Sequence, residues 1–194
     1  MNIEIKNPQR ILTKSIEDAC GLTAYKKTLD LSVDISNNKD YQKNFTAYYN
    51  IRRDQEWLKK YYNYLEANKN NKNITFEKIL LDISKIEHTT KNGLKSTVEA
   101  SFASKMLATI IPDNPIWDKR IAKALGIKLI NCNKEEKIST YVIIYDELRE
   151  KVEEFIDTKS GEECIRLFNK TFPNYTTVSN FKKIDHYLWS LGRS

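Results

Sequence analysis

SFASKMLATIIPDNPIWDKRIAKAL, residues 101–125, decides how the rest of the chain is read. Val98, Phe102, Met106, Leu107 and Ile110 recur at helical intervals, and Ala100, Ala103 and Ala108 let neighbouring helices come close. Pro112 ends that helix. Pro115 and Trp117 fix a turn. Asp118, or Asn114 with Pro115 at the first helical position, caps a second helix carrying Ile121, Ala124 and Leu125. Gly126 suits the residue just past its end, where the backbone turns left-handed. The stretch therefore predicts a helix, a Pro-marked turn and a helix. Lys105 lies near the start of the first and Asp118 at the start of the second.

Upstream, Thr75 is a good N-cap for FEKILLDISKIE, in which Phe76, Ile79, Leu80, Ile83 and Ile86 fall on one side. That helix stops in HTTKNG, residues 88–93, and Leu94 to Ile111 reads as the next helix, after the Asn92-Gly93 turn signal. Residues 44–68 read as one long amphipathic helix with an unusual aromatic load: Phe45, Tyr48, Tyr49, Trp57, Tyr61, Tyr62 and Tyr64. Residues 33–40 read as a loop. Thr13 to Leu31 reads as one or two short helices opened by a Ser15–Asp18 capping box, and residues 1–10 as a loose polar arm. Downstream, Lys134 to Asp157 carries Ile138, Val142, Tyr145, Leu148, Val152 and Phe155 at steps of three and four. Its glutamates form a solvated face. Ser160 to Glu163 reads as a capping box opening the next helix, and Ser179 to Leu191 as the last, with Phe181, Ile184, Leu188 and Trp189 inward.

The sum is an all-α fold of about eight helices with little or no sheet. It is one domain over residues 1–194, with two lobes expected: 11–68 together with 134–194, and 75–126. Only five Gly and four Pro in 194 residues support long helices. No apolar run approaches the ~20 residues that span a bilayer, so no membrane partner is expected. Three cysteines without metal-ligand spacing and only two histidines point to reduced thiols, a cytoplasmic location, no metal and no cofactor. The net charge of +6, from 32 Lys and Arg against 26 Asp and Glu, permits a polyanionic partner without demanding one. The oligomeric state stays open.

Two clusters carry possible chemistry. A lysine amine is a nucleophile only when neutral, and partial burial beside Phe102, Ala103 and Met106 favours that form of Lys105. With the Asp118 carboxylate nearby it can attack a sugar C1′ as a base departs. The same two residues serve equally as a structural salt bridge. The second cluster is YYNIRRDQEW, residues 48–57, in which Tyr49, Arg52 and Arg53 have the groups to grip a phosphate and stack on a base. Its alternative is a packed aromatic stripe whose arginines pair with Asp54 or Glu56.

SFASKMLATI followed by PIWDKRIAKAL resembles the core of the helix-hairpin-helix DNA glycosylase superfamily. It is most similar to the 8-oxoguanine-DNA-glycosylase-fold branch found in small bacterial proteins. YYNIRR with Trp57, and KIDHYLW (residues 183–189), also look like segments of that branch. The resemblance implies base-excision chemistry, with Ser104-Lys105 in the place of the catalytic lysine motif and Asp118 in that of the invariant aspartate. It implies a nucleic-acid partner, DNA favoured, contacted by Tyr49, Arg52, Arg53, Trp117 and Arg120. The expected activity is an N-glycosylase/lyase on a modified base. The alternative is a non-catalytic binding or regulatory module on the same fold. The superfamily's hairpin is glycine-rich; here no glycine precedes Phe102 more closely than Gly93, and Glu99 stands where a phosphate would approach.

Overall fold

The computed structural model describes residues 7–16, 19–130, 133 and 136–192, and its architecture follows from where the helices stop. The helices are α1 (Pro8–Ile16), α2 (Ala19–Thr28), α3 (Lys39–Tyr49), α4 (Gln55–Asn68), α5 (Phe76–Ile83), α6 (Ala100–Ile110), α7 (Lys119–Ala124), α8 (Lys137–Ile156), α9 (Lys159–Thr171) and α10 (Asn180–Leu191). A two-stranded antiparallel hairpin, β1 (Glu87–Thr90) and β2 (Gly93–Ser96), joins α5 to α6. The fold is all-α, as the helical spacing predicts.

Several boundaries depart from the sequence reading. Residues 44–68 are not one helix. Asn50 adopts a left-handed backbone with φ of 49°. Its N–H reaches the Ala47 carbonyl and the Ile51 N–H the Thr46 carbonyl, the paired bonds that close a helix C-terminus. Asp54 then restarts the chain by accepting the Trp57 N–H at 2.8 Å. The aromatic spacing continues through this break, which is why periodicity alone hides it. Asn38, at the end of the expected loop, caps α3 by accepting the Tyr41 N–H at 2.9 Å.

Residues 93–96 are a strand rather than the start of a helix. Asn92-Gly93 closes the hairpin, with Gly93 at φ of 99°, a conformation that suits glycine. Thr158, not Ser160, caps α9 by accepting the Gly161 N–H at 3.0 Å. The first helix begins at Pro8, inside the expected polar arm. Ser15 falls within α1, and Asp18, the other half of the expected capping box, lies outside the described residues. Thr75 caps α5 as expected, and Ser179 caps α10. Gly126, at φ of 68°, closes α7 with Ile127 N–H donating to the Ala122 carbonyl.

Helix α10 is the hub, packing against α1, α7, α8 and α9, while α5 packs on α6 and α8, and α2 on α3. A single buried cluster runs from Leu12 to Leu188. Five of its tyrosines bury their rings and give their hydroxyls to main-chain carbonyls of other segments. Tyr41 donates to Thr28, Tyr61 to Phe102, Tyr62 to Gln42, Tyr145 to Pro115 and Tyr187 to Cys164, all within 2.8–3.0 Å. Each bond satisfies a buried hydroxyl and fixes the spacing of two elements at once. Glu147, Glu150, Glu153 and Glu154 on α8 are exposed, the solvated face expected of them. No described helix is long and apolar enough to cross a membrane.

Candidate functional site

Ser104 ties the two halves of the helix–turn–helix together. Its hydroxyl donates to the Ser101 carbonyl at 3.0 Å and accepts the Trp117 N–H at 2.9 Å. The turn is held at two further points: Tyr145 donates to the Pro115 carbonyl at 3.0 Å, and Ser179 to the Pro112 carbonyl at 2.8 Å. Trp117 itself is buried, tilted against Tyr141 and parallel to Phe76. Residues 104 and 117 being bonded, their neighbours Lys105 and Asp118 are carried to the same place.

That place is a cavity of about 860 Å³. The first half of α2, the end of α3, the start of α6, the turn with α7, and one face of α10 wall it. Lys105 and Asp118 both line it, with Lys119, Arg120, Lys182 and Asp185, and with Tyr48, Tyr49, Trp117, His186 and Trp189 among the rings. Four basic side chains against two acidic ones favour an anionic occupant. The size suits a nucleotide-sized ligand.

Burial brings the Lys105 ammonium down to about 8, against the opposing attraction of Asp118 first, and of Glu99 and Asp185 after it. Its Nζ stands 5.3 Å from the centre of the Phe102 ring. A lysine so placed is largely protonated at neutral pH yet supplies a useful fraction of free amine. Asp118 caps α7, its Oδ1 accepting the Arg120 N–H at 2.8 Å, which fixes the carboxylate at the cavity wall.

The arginines separate. Arg120 lies in the wall with its guanidinium 4.4 Å from the centre of the Trp189 ring. Arg52 is exposed, its Nε donating to Asn50 Oδ1 at 3.2 Å, and does not line the cavity. Arg53 turns away to form an ion pair with Glu99 and covers the Phe102 ring at 4.9 Å. Glu99 also accepts the Thr97 hydroxyl at 2.5 Å. The partner of Arg53 is therefore Glu99, not Asp54 or Glu56, because Asp54 is committed to capping α4. Glu99, read in the sequence as a repellent for phosphate, has a local cation. Tyr49 borders the cavity while its hydroxyl meets Thr109 at 3.3 Å, and burial raises that hydroxyl's pKa well above the ordinary range.

The α10 wall escaped the sequence reading as a site. Lys182, Asp185, His186 and Trp189 follow the i, i+3, i+4, i+7 spacing of one helix face, the available signal. Lys182 pairs with Asp185, and its Nζ lies 5.3 Å from the ring centres of both Tyr25 and Tyr48. Burial works against the Lys182 charge, but the paired Asp185 carboxylate outweighs it and keeps the ammonium. Among the described residues no group of His, Cys, Asp and Glu is arranged to hold a metal ion. Cys164 is buried, which pushes its thiol up to about 12. No protein-family model, curated protein or solved structure matches this chain.

Proposed function

We propose that the protein is a DNA glycosylase-like, nucleic-acid-binding protein that acts on a modified base, with Lys105 as nucleophile and Asp118 as its electrostatic partner. The observation that carries this reading is that both line one cavity in which burial has made the amine unusually easy to deprotonate. The resemblance of residues 101–125 to the helix-hairpin-helix glycosylase core supports it. The target nucleotide enters flipped out of its stack. Neutral Lys105 forms an N–C1′ bond as the glycosidic bond breaks, its electron pair leaving with the base, which takes up a proton. The adduct loses the ammonium proton, and the sugar ring opens. A C1′ iminium results, and the ring oxygen becomes a hydroxyl. The Asp118 carboxylate stabilises positive charge on the sugar as the base departs. Arg120 and Lys119 attract the phosphates. The location implied is cytoplasmic.

Borohydride reduction traps such an iminium. Oligonucleotides bearing damaged bases or abasic sites are expected to give a covalent adduct that Lys105→Gln abolishes. No adduct across the panel overturns catalysis.

The Arg53–Glu99 pair favours a second reading, a non-catalytic binding module on the same fold, because a cation already held by a carboxylate is a poor phosphate grip. Binding of a protein or nucleic-acid partner without any adduct is its signature.

A further inference from the structure

The β-hairpin between α5 and α6 has one closed edge and one open edge. Thr89 N–H donates to Asp54 Oδ2 at 2.9 Å, so it points away from β2. In an antiparallel ladder the two residues of a directly opposed pair share that orientation, and it alternates along each strand. Thr89 is paired with Leu94, and Glu87 with Ser96. Leu94 and Ser96 therefore aim their N–H and carbonyl groups away from β1. Those groups have no hydrogen-bond partner among the described residues. Gly93, Leu94 and Lys95 are exposed, Leu94 at 68 %. Asp54 thus closes the β1 side and holds the hairpin on the start of α4, while β2 presents an unpaired edge.

The chemistry of that edge selects its occupant. It offers acceptors as well as donors. A phosphate backbone has only acceptor oxygens to bring and meets the carbonyls with like polarity, whereas a polypeptide strand matches both. A second copy of the chain is a poor fit. The antiparallel register that engages both Leu94 and Ser96 sets Lys95 opposite its own counterpart, and like charges directly opposed repel. Lys95 lies between the two bonding residues and calls for a carboxylate across from it. Lys91 in the turn adds to the same field. The one hairpin carboxylate, Glu87, sits on β1, a strand further off. Leu94, on the other face from Lys95, calls for an apolar neighbour. We propose that β2 is a docking edge for an extended acidic segment of a partner protein. The segment adds antiparallel as a third strand, with Asp or Glu opposite Lys95 and an apolar residue opposite Leu94. This contact is separate from the Lys105 cavity and does not rest on the glycosylase-like reading.

The test uses the isotope-labelled full chain and two end-blocked hexapeptides, one alternating valine with glutamate and one alternating valine with lysine. The glutamate peptide is expected to shift the Leu94 and Ser96 amide signals in NMR spectra and to slow their hydrogen exchange. It should bind about 3- to 10-fold more tightly than the lysine peptide, and Lys95→Glu should reverse that order. Leu94→Pro removes an outward N–H without touching the ladder to β1 and should weaken binding about 5-fold or more. If that variant disturbs the hairpin, the Lys95→Glu reversal decides alone. No response of the two amides at millimolar peptide, or equal binding of both peptides, overturns the proposal. So does protection of these amides that grows with protein concentration in the absence of peptide, or protection by a DNA duplex that the glutamate peptide fails to displace.

Discussion

The backbone N–H of Trp117 donates to the Ser104 hydroxyl across 2.9 Å, thirteen residues apart in sequence and one residue from each of the two groups on which the proposed chemistry depends. The hydroxyl is 0 % exposed as a residue, so neither partner has water as a substitute. Ser104→Ala is expected to cost about 1–3 kcal/mol, since it strands a buried N–H. Urea denaturation measures the loss. Adduct formation should fall further than stability does, because the turn bearing Asp118 loses its tether to α6. A change below about 0.5 kcal/mol, the scatter of ordinary surface substitutions, contradicts this role.

Lys105 titrates at about 8 in the folded chain and near 10.4 when unfolded. Between those values the unfolded state binds more protons, so stability rises with pH. The lysine costs stability at neutral pH and ceases to do so above its unfolded pKa. Lys105→Met is therefore expected to raise Tm at pH 7, with the advantage over wild type shrinking as pH rises toward 10. Acylation of Lys105 followed by mass spectrometry should show a midpoint near pH 8, well below that of the exposed lysines.

Arg53 and Glu99 are both shielded, with side chains 24 % and 17 % exposed. Arg53→Met alone leaves a partly buried carboxylate uncompensated and is expected to cost about 1–3 kcal/mol. Adding Glu99→Gln should restore part of the loss, and a double-mutant cycle reads the coupling directly. If the pair persists on nucleic acid, the salt dependence of binding is unchanged by Arg53→Met. A slope reduced by about one identifies a phosphate contact instead.

Gly161 admits no side chain. A Cβ there would fall 2.0 Å from the Phe155 carbonyl oxygen and 2.9 Å from that of Ile156, where the start of α9 presses on the end of α8. Both obstacles are backbone and cannot swing aside. Gly161→Ala is expected to lose about 3 kcal/mol or more, seen as a lower urea midpoint, whereas Ser160→Ala next to it should be nearly silent.

How much of this was legible follows from which signals are local. Thr75, Asp118 and Gly126 act within one helical turn, and their roles could be read directly. Asn50 could not. It breaks a helix by adopting one unusual φ while Tyr49, Trp57 and Tyr61 keep the expected spacing on either side. The hairpin hid for a related reason: EHTT and GLKS are four residues each, and Leu94 is 68 % exposed, so no buried alternation announces a strand. At the site, Lys105 and Asp118 were nominated because they flank one turn. Lys182 and Asp185 stand some seventy residues away, and only the packing of α10 against α7 makes them neighbours. Arg53 found Glu99 by the same kind of long-range placement.

The cavity borrows its walls from residues as far apart as Gly21 and Ser190, and that makes occupancy and folding a single thermodynamic event. No short segment carries enough of the wall to bind alone, so a ligand recognises only the assembled chain and adds RT ln(1 + [L]/Kd) to its stability. At a hundredfold excess over Kd that is about 2.7 kcal/mol. The melting curve of the whole molecule is therefore a gauge of what fills the space between α3, α6, α7 and α10, and it reports binding whether or not chemistry follows.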